Sequence, residues 1–147
     1  MIKSILVVCV GNVCRSPLGE CLLKQRLPAL NVSSAGLGAL VGKAADEDAA
    51  SVALAQGVSL AGHVARQLDV EVAGQHDLIL VMEPRHKQEI VARAPQLSGR
   101  VMLFDQWTGA KGVSDPYRRS REFHQAIFEQ MSDAADAWAD RLAHNAR

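Results

Sequence analysis

No apolar window in this chain of 147 residues approaches the length of a membrane span. The short apolar stretch that ends at Gly11 has one Lys before it and is too brief for the hydrophobic core of an export signal with its cleavage site. A cytoplasmic protein without membrane insertion is therefore expected. An excess of charge of one sign is missing as well, because 16 Lys and Arg face 16 Asp and Glu. That balance gives no support to nonspecific attraction to nucleic acid or to an anionic surface, so any recognition of an anion has to be local. Cysteine is scarce, with 3 in the chain, and none follows Cys21. In a reducing compartment such thiols read as free or reactive rather than as a disulfide framework. The histidines at 63, 76, 86, 124 and 144 show none of the close spacings that structural zinc uses, so no metal and no other cofactor is expected. Gly42-Lys43 lacks the rest of a nucleotide-binding loop: Leu37 stands where the first Gly belongs, and Ala44 where Ser or Thr would hold the metal.

The pattern that is present alternates strands with helices. Lys3 to Val8, with the continuous apolar run Ile5-Leu6-Val7-Val8, reads as a strand buried on both faces. Pro17 fits a helix's first turn, and Leu18, Cys21, Leu22 and Leu27 give that helix an apolar face up to Pro28. Val32–Ala35, Asp77–Met82 and Val101–Phe104 read as further strands. Helices are expected around Asp46–Gln56, stopped by Gly57, and from Pro84 to about Arg93. Trp107–Asp115 reads as a loop. A closing helix carries Phe123, Ile127, Met131, Ala134, Trp138 and Leu142 on one stripe. The expected fold is an α/β, three-layer arrangement: a four-stranded parallel sheet with helices on both faces and a phosphate-binding loop after the first strand. A chain of this size buries roughly 70% of its unfolded surface, so one domain spanning 1–147 is expected.

The chemistry concentrates in Cys9-Val10-Gly11-Asn12-Val13-Cys14-Arg15-Ser16-Pro17, at the carboxyl end of the first strand. Ligands of parallel sheets bind in that position. A helix N-terminus and nearby cations can lower a thiol's pKa to roughly 3.5–7.5, and Cys9 has both features beside it. The turn from Val10 through Cys14 can point successive amides inward, with Gly11 available for a positive φ. Arg15 adds a planar fork that matches two phosphate oxygens. Attack by a thiolate on a held phosphoryl group follows from these residues, against the alternative of a buried packing thiol. A leaving oxygen would also need a proton, and Asp115 in Ser114-Asp115-Pro116-Tyr117 is the candidate donor, against an ordinary Asp-Pro turn. Tyr117, the sole tyrosine, reads either as a stacking residue at a pocket mouth or as a half-buried structural one.

From end to end the chain resembles the low-molecular-weight protein tyrosine phosphatases, and within them the bacterial Wzb-type members associated with capsule and exopolysaccharide export. The resembling segments are Ile5 through Pro17, Ser34-Ala35-Gly36-Leu37-Gly38-Ala39-Leu40, His63-Val64-Ala65-Arg66-Gln67, Asp77 through Glu83, and Asp115-Pro116-Tyr117-Arg118. The resemblance implies a phosphotyrosine hydrolase with Cys9 as nucleophile, Arg15 as clamp of the phosphate and transition state, and Asp115 as general acid, working through a cysteinyl-phosphate. It implies substrate contacts from Val10, Gly11, Asn12, Val13, Cys14, Ser16, Leu40 and Tyr117, with Ser16 also donating to the Cys9 sulfur. It implies that Asn12, Ser34 and His63 brace the loop. Taken residue by residue, those three read rather as a left-handed turn residue, a strand-end hydroxyl and a surface imidazole.

The implied partners are phosphotyrosine proteins, including a tyrosine autokinase of polysaccharide export, and the implied state is a monomer or weak dimer. Cys14 matches a second loop cysteine that pairs reversibly with the nucleophile in the family, or it simply packs. Cys21 reads as packing. The chain departs from many members at Leu40 and Arg118, where those members carry aromatics. Arg118, Arg119 and Arg121 would favour acidic or Tyr-rich sequence around the phosphotyrosine, or form a solvated basic turn. Two alternatives share the loop: a thiol-dependent arsenate reductase, which needs cysteines downstream that are missing here, and a phosphotyrosine-binding module without turnover.

Overall fold

The computed structural model describes residues 1–145. The first apolar run forms β1 (Ser4–Cys9), with residues 5–9 all buried. It pairs in parallel with β2 (Asn31–Gly36) on one side and β3 (Leu78–Val81) on the other, and β4 (Val101–Leu103) closes the order β2-β1-β3-β4. The two-residue period of a strand sends its side chains to opposite faces. Ile5, Val7, Cys9, Leu78, Leu80 and Met82 therefore share a core with Leu18 and Leu22 of α1 (Arg15–Arg26), Val52 of α2 (Glu47–Ala55) and Met131 and Trp138 of α5 (Arg121–Asn145). Leu6, Val8, Ile79 and Val81 share the other with Ala73 of α3 (Val70–Gly74) and Ile90 of α4 (Pro84–Arg93). This is the three-layer parallel α/β fold expected.

The differences lie at the ends of elements and in the shortest ones. The first helix starts at Arg15, with Pro17 in its first turn as expected. The third strand begins after Asp77, whose carboxylate instead accepts the N–H groups of Lys3 and Ser4 at 2.8 and 3.2 Å and so pins the start of β1. Neither the five-residue α3 nor the 3₁₀ turn Pro95–Arg100 was expected, since each is too short to show a helical period. On α5 the stripe is buried as expected except Phe123, which is half-buried.

From β1 the chain moves outward to β2 and then returns to β3 on the other side of β1. The carboxyl ends of β1 and β3 thus flank a topological switch point, which puts the Cys9 loop beside the residues that follow Met82. Gly36, opposite Cys9 in the register, is what lets β2 approach that loop. A Cβ there would fall on the Val10 carbonyl oxygen and crowd Ala39 and Asn12 at 3.1 Å. Gly36→Ala is therefore expected to cost about 3 kcal/mol, at the upper end for overpacking, because backbone rather than a flexible side chain has to yield. Thermal unfolding checks this; an unshifted Tm would contradict the packing argument.

Candidate active site

The loop from Cys9 to Cys14 is shaped by where its carbonyls go. Those of Cys9, Val10, Gly11 and Val13 turn outward and accept N–H groups from Leu37, Gly38, Leu40 and Asp46 at 2.9–3.0 Å. The Asn12 carbonyl accepts from His63 Nε2 at 2.6 Å, and since a carbonyl only accepts, that ring nitrogen carries the proton. With the carbonyls held outside, the amides are left for the inside. Among the described residues, the N–H groups of Val13, Cys14, Arg15 and Ser16 donate to no protein group. They open α1, whose N-cap Cys14 makes no side-chain cap and whose first turn has no acidic residue. An uncapped helix start with inward amides is an anion site.

Asn12 holds this turn together. At φ 59° it takes the left-handed conformation that was one of its own expected roles, whereas Gly11, for which a positive φ was also expected, does not. Its Oδ1 accepts the Arg66 N–H at 2.9 Å, so its Nδ2 is fixed as the donor to Ser16 Oγ (2.7 Å) and Ser34 Oγ (3.0 Å). Ser34 passes its own proton to Glu20 Oε1 at 2.6 Å. The Ser16 hydroxyl, already accepting from Asn12, is free to donate to Cys9 Sγ at 2.9 Å, and the Asn12 backbone N–H reaches the same sulfur at 3.3 Å. The sulfur is thus met by two donors whose orientation is imposed from outside the loop. The fold brings Asn12, Ser34 and His63 into one network around this loop, and it adds Glu20 and Arg66, to which the sequence reading gave no role.

Arg15 is 2% exposed and its guanidinium is split between two tasks. One nitrogen, Nη1, donates to Glu83 Oε2 and to the Val113 carbonyl, both at 2.7 Å. The other, Nη2, lies 3.8 Å from Asp115 Oδ2, and Nε has no partner in the protein. Half the fork is anchored and half is open. Sequence reasoning missed Glu83; its signal was an acid directly after a buried strand at the switch point. Burial pushes the Glu83 carboxyl up, but the Arg15 hydrogen bond and charge outweigh it and hold the group below the usual range.

His86, buried behind Glu83, accepts the Glu83 backbone N–H on Nδ1 at 3.2 Å and is therefore neutral there. Burial, then the Arg15 charge, lowers its pKa. A base held neutral in the fold contributes its stability in full above its ordinary pKa near 6.5. That contribution is lost as pH falls below this value toward the depressed one, as the unfolded chain gains a proton the fold refuses. Glu83 adds a loss of the same sign at lower pH. Wild-type Tm should thus fall faster than that of His86→Asn as pH drops below 6.5; parallel curves would contradict this role.

Asp115 is held at the rim. Its Oδ1 accepts the Tyr117 N–H at 3.0 Å, an Asx turn set up by Pro116, and the residue stays 49% exposed. The preceding loop is tied down by Asp105, whose Oδ2 accepts from Lys111 and Gly112 at 3.1 and 3.0 Å, and by the Val113 N–H on the Met82 carbonyl at 2.7 Å. A cleft of about 190 Å³ collects Cys9, Val10, Gly11, Val13, Cys14, Arg15, Leu40, Asp115 and Tyr117, together with Gly38. Leu40 gives it an apolar wall, and Tyr117 is half-buried with the Arg118 guanidinium 5.3 Å from its ring centre. Cys14 lines the cleft, and burial pushes its thiol far above the ordinary range. Cys21 packs against the core as expected, its thiol pushed up by burial.

Residues 4–147 match the family model described as low molecular weight phosphotyrosine protein phosphatase. The chain is 51% identical over 142 residues to the low molecular weight protein-tyrosine-phosphatase Wzb of Salmonella typhimurium, covering 97% of this chain and 95% of that one. The fold is similar to that of the tyrosine phosphatase Wzb from Escherichia coli K30 in complex with sulphate, with TM-score 0.95 at 44% identity over 97% of this chain and 99% of that one. It is also similar to Vibrio vulnificus Wzb in complex with benzylphosphonate, with TM-score 0.93, 43% identity and coverage of 96% and 99%.

Proposed function

The chain belongs to the low-molecular-weight phosphotyrosine protein phosphatase family and is a protein-tyrosine-phosphatase, and on that premise we propose that it hydrolyses phosphotyrosine through a cysteinyl-phosphate on Cys9. The observation that carries this reading is the division of Arg15: one guanidinium nitrogen anchored on Glu83 and Val113, the remaining N–H groups open beside an uncapped helix start and the Cys9 sulfur.

In the first step the Cys9 sulfur attacks phosphorus in line. The S–P bond forms as the P–O bond to the tyrosine breaks, and Asp115 gives its proton to the departing phenolate. The inward amides and the open side of Arg15 hold the equatorial oxygens, whose charge they meet without rearranging. In the second step Asp115, now a carboxylate, takes a proton from water as the water attacks phosphorus and the S–P bond breaks. Hydrogen bonds from Ser16 Oγ and the Asn12 N–H stabilise the sulfur as it leaves. Leu40 and Tyr117 form the walls against which an aryl ring packs, and a benzylphosphonate in the Vibrio vulnificus relative supports an aromatic ligand. The intact Cys9, Arg15 and Asp115, and the lack of cysteine after Cys21, weigh against a binding module and an arsenate reductase.

The proposed setting is the cytoplasm, with residues 1–147 as one domain acting as a monomer or weak dimer. Among the described residues no helix is long and apolar enough to cross a membrane. Similarity to Wzb relatives supports a tyrosine autokinase of polysaccharide export as partner. Asp115→Asn tests the mechanism: the first step, read as phenol release in a single turnover, should slow about 10²- to 10⁴-fold with a phosphotyrosine peptide, and much less where the leaving phenol is already acidic. A loss of the same size on both substrates would remove Asp115 from the acid's role.

A further inference from the structure

Away from the cleft, the N-terminus of α2 meets the first turn of α5. Asp46, the N-cap of α2, Asp48 in the first turn of that helix, and His124 of α5 each present a ligand atom within 4.8 Å of the others. His124 is far from the two aspartates in the sequence, so spacing along the chain could not reveal the cluster. His124 is the second, independent observation. Its side chain is 2% exposed, yet its Nε2 has no hydrogen-bond partner and lies 3.8 Å from Asp46 Oδ2. That gap is too wide for a hydrogen bond. Two ligands of a tetrahedral cation stand about 3.3 Å apart, so a side-chain shift of about half an ångström would seat an ion between them.

We propose that Asp46, Asp48 and His124 form a binding site for a divalent transition-metal cation of the zinc class, joining the start of α2 to the start of α5. One imidazole and two carboxylates, with water in the fourth position, is a donor set that such a cation accepts and that magnesium, which wants oxygen alone, does not favour. Asp48 is exposed and gives the cation its way in. The site is outside the cleft but not remote from it, because the Asp46 N–H is the group that holds the Val13 carbonyl outward at 2.9 Å. A bound cation would therefore stiffen one brace of the phosphate loop.

The test is titration of the full chain with zinc by calorimetry and with cobalt by absorption, in wild type, His124→Gln, Asp48→Asn and Cys9→Ser. Expected is one cation per chain, a cobalt spectrum without a thiolate charge-transfer band, and binding about tenfold or more weaker in both His124→Gln and Asp48→Asn. Cys9→Ser should bind as wild type does. Asp48→Asn changes only an exposed side chain, so it keeps the test valid should His124→Gln unfold, and its metal-free phosphatase activity should equal wild type. No binding, or binding lost with Cys9→Ser and kept in Asp48→Asn, would overturn the proposal and place the cation on thiols or nowhere.

Discussion

Cys9→Ser is expected to lower phosphotyrosine turnover by on the order of 10⁴-fold or more while leaving phosphate binding largely in place. The two effects separate because the site binds phosphate and attacks it with different groups. Binding is the work of the inward amides and the open half of Arg15, none of which a serine disturbs; the hydroxyl even keeps an oxygen within reach of Ser16 and the Asn12 N–H. Attack needs an anionic sulfur that the surrounding donors can stabilise and later release, and a serine alkoxide is far more costly to form. A steady-state assay with a phosphotyrosine peptide and no added metal, beside a phosphate titration, reads both quantities. Residual activity within about tenfold of wild type would remove Cys9 from the nucleophile's role.

Arg15→Lys should cost about 10³-fold in kcat and also weaken phosphate binding, although the charge is kept. A lysine has one nitrogen, and the site asks for two functions at once. It can take the Glu83 and Val113 position at the cost of the phosphate, or the reverse, leaving the Glu83 carboxylate without its partner. The geometry also predicts how the loss divides. The open side of the fork meets charge that grows in the transition state, so kcat should suffer more than KM. Loss confined to KM would show that Arg15 serves ground-state binding alone. The Tm of this variant should fall as well, because a buried anchor shared by β3 and the 112–115 loop is weakened.

The same contrast explains how much of this protein was legible in its sequence. Buried strands announce themselves by continuous apolar runs, and the α5 stripe by its period, since both signals are local. The loop was legible for a related reason: Cys9, Arg15 and Ser16 are near neighbours in the chain, and local backbone geometry brings them together. Their supports are of another kind. Glu83 and Arg66 meet the loop only after the sheet has formed, while Glu20 and His86 act through Ser34 and Glu83, and an isolated acid or base in a sequence has no mark that distinguishes a buried partner from a solvated one. Gly11 shows the complementary error. Glycine was the obvious residue for a positive φ, but the turn places Asn12 there, because only Asn12 can hold Ser16, Ser34 and Arg66 together from that conformation. The Asp46, Asp48 and His124 cluster was out of reach for the same reason, since His124 joins the two aspartates only in the fold.

The central claim is that phosphate passes through Cys9, and the Asp115→Asn variant offers the most direct view of it. With an aryl phosphate whose phenol is acidic, the first step needs no proton and should run fast. The second step, deprived of the carboxylate that takes the proton from water, should stall. Rapid quenching and mass spectrometry of the protein should then find a burst of phenolate equal to the enzyme present, and one phosphoryl group on the Cys9 sulfur. A burst that is absent, or a phosphoryl group on any other residue, would contradict the account.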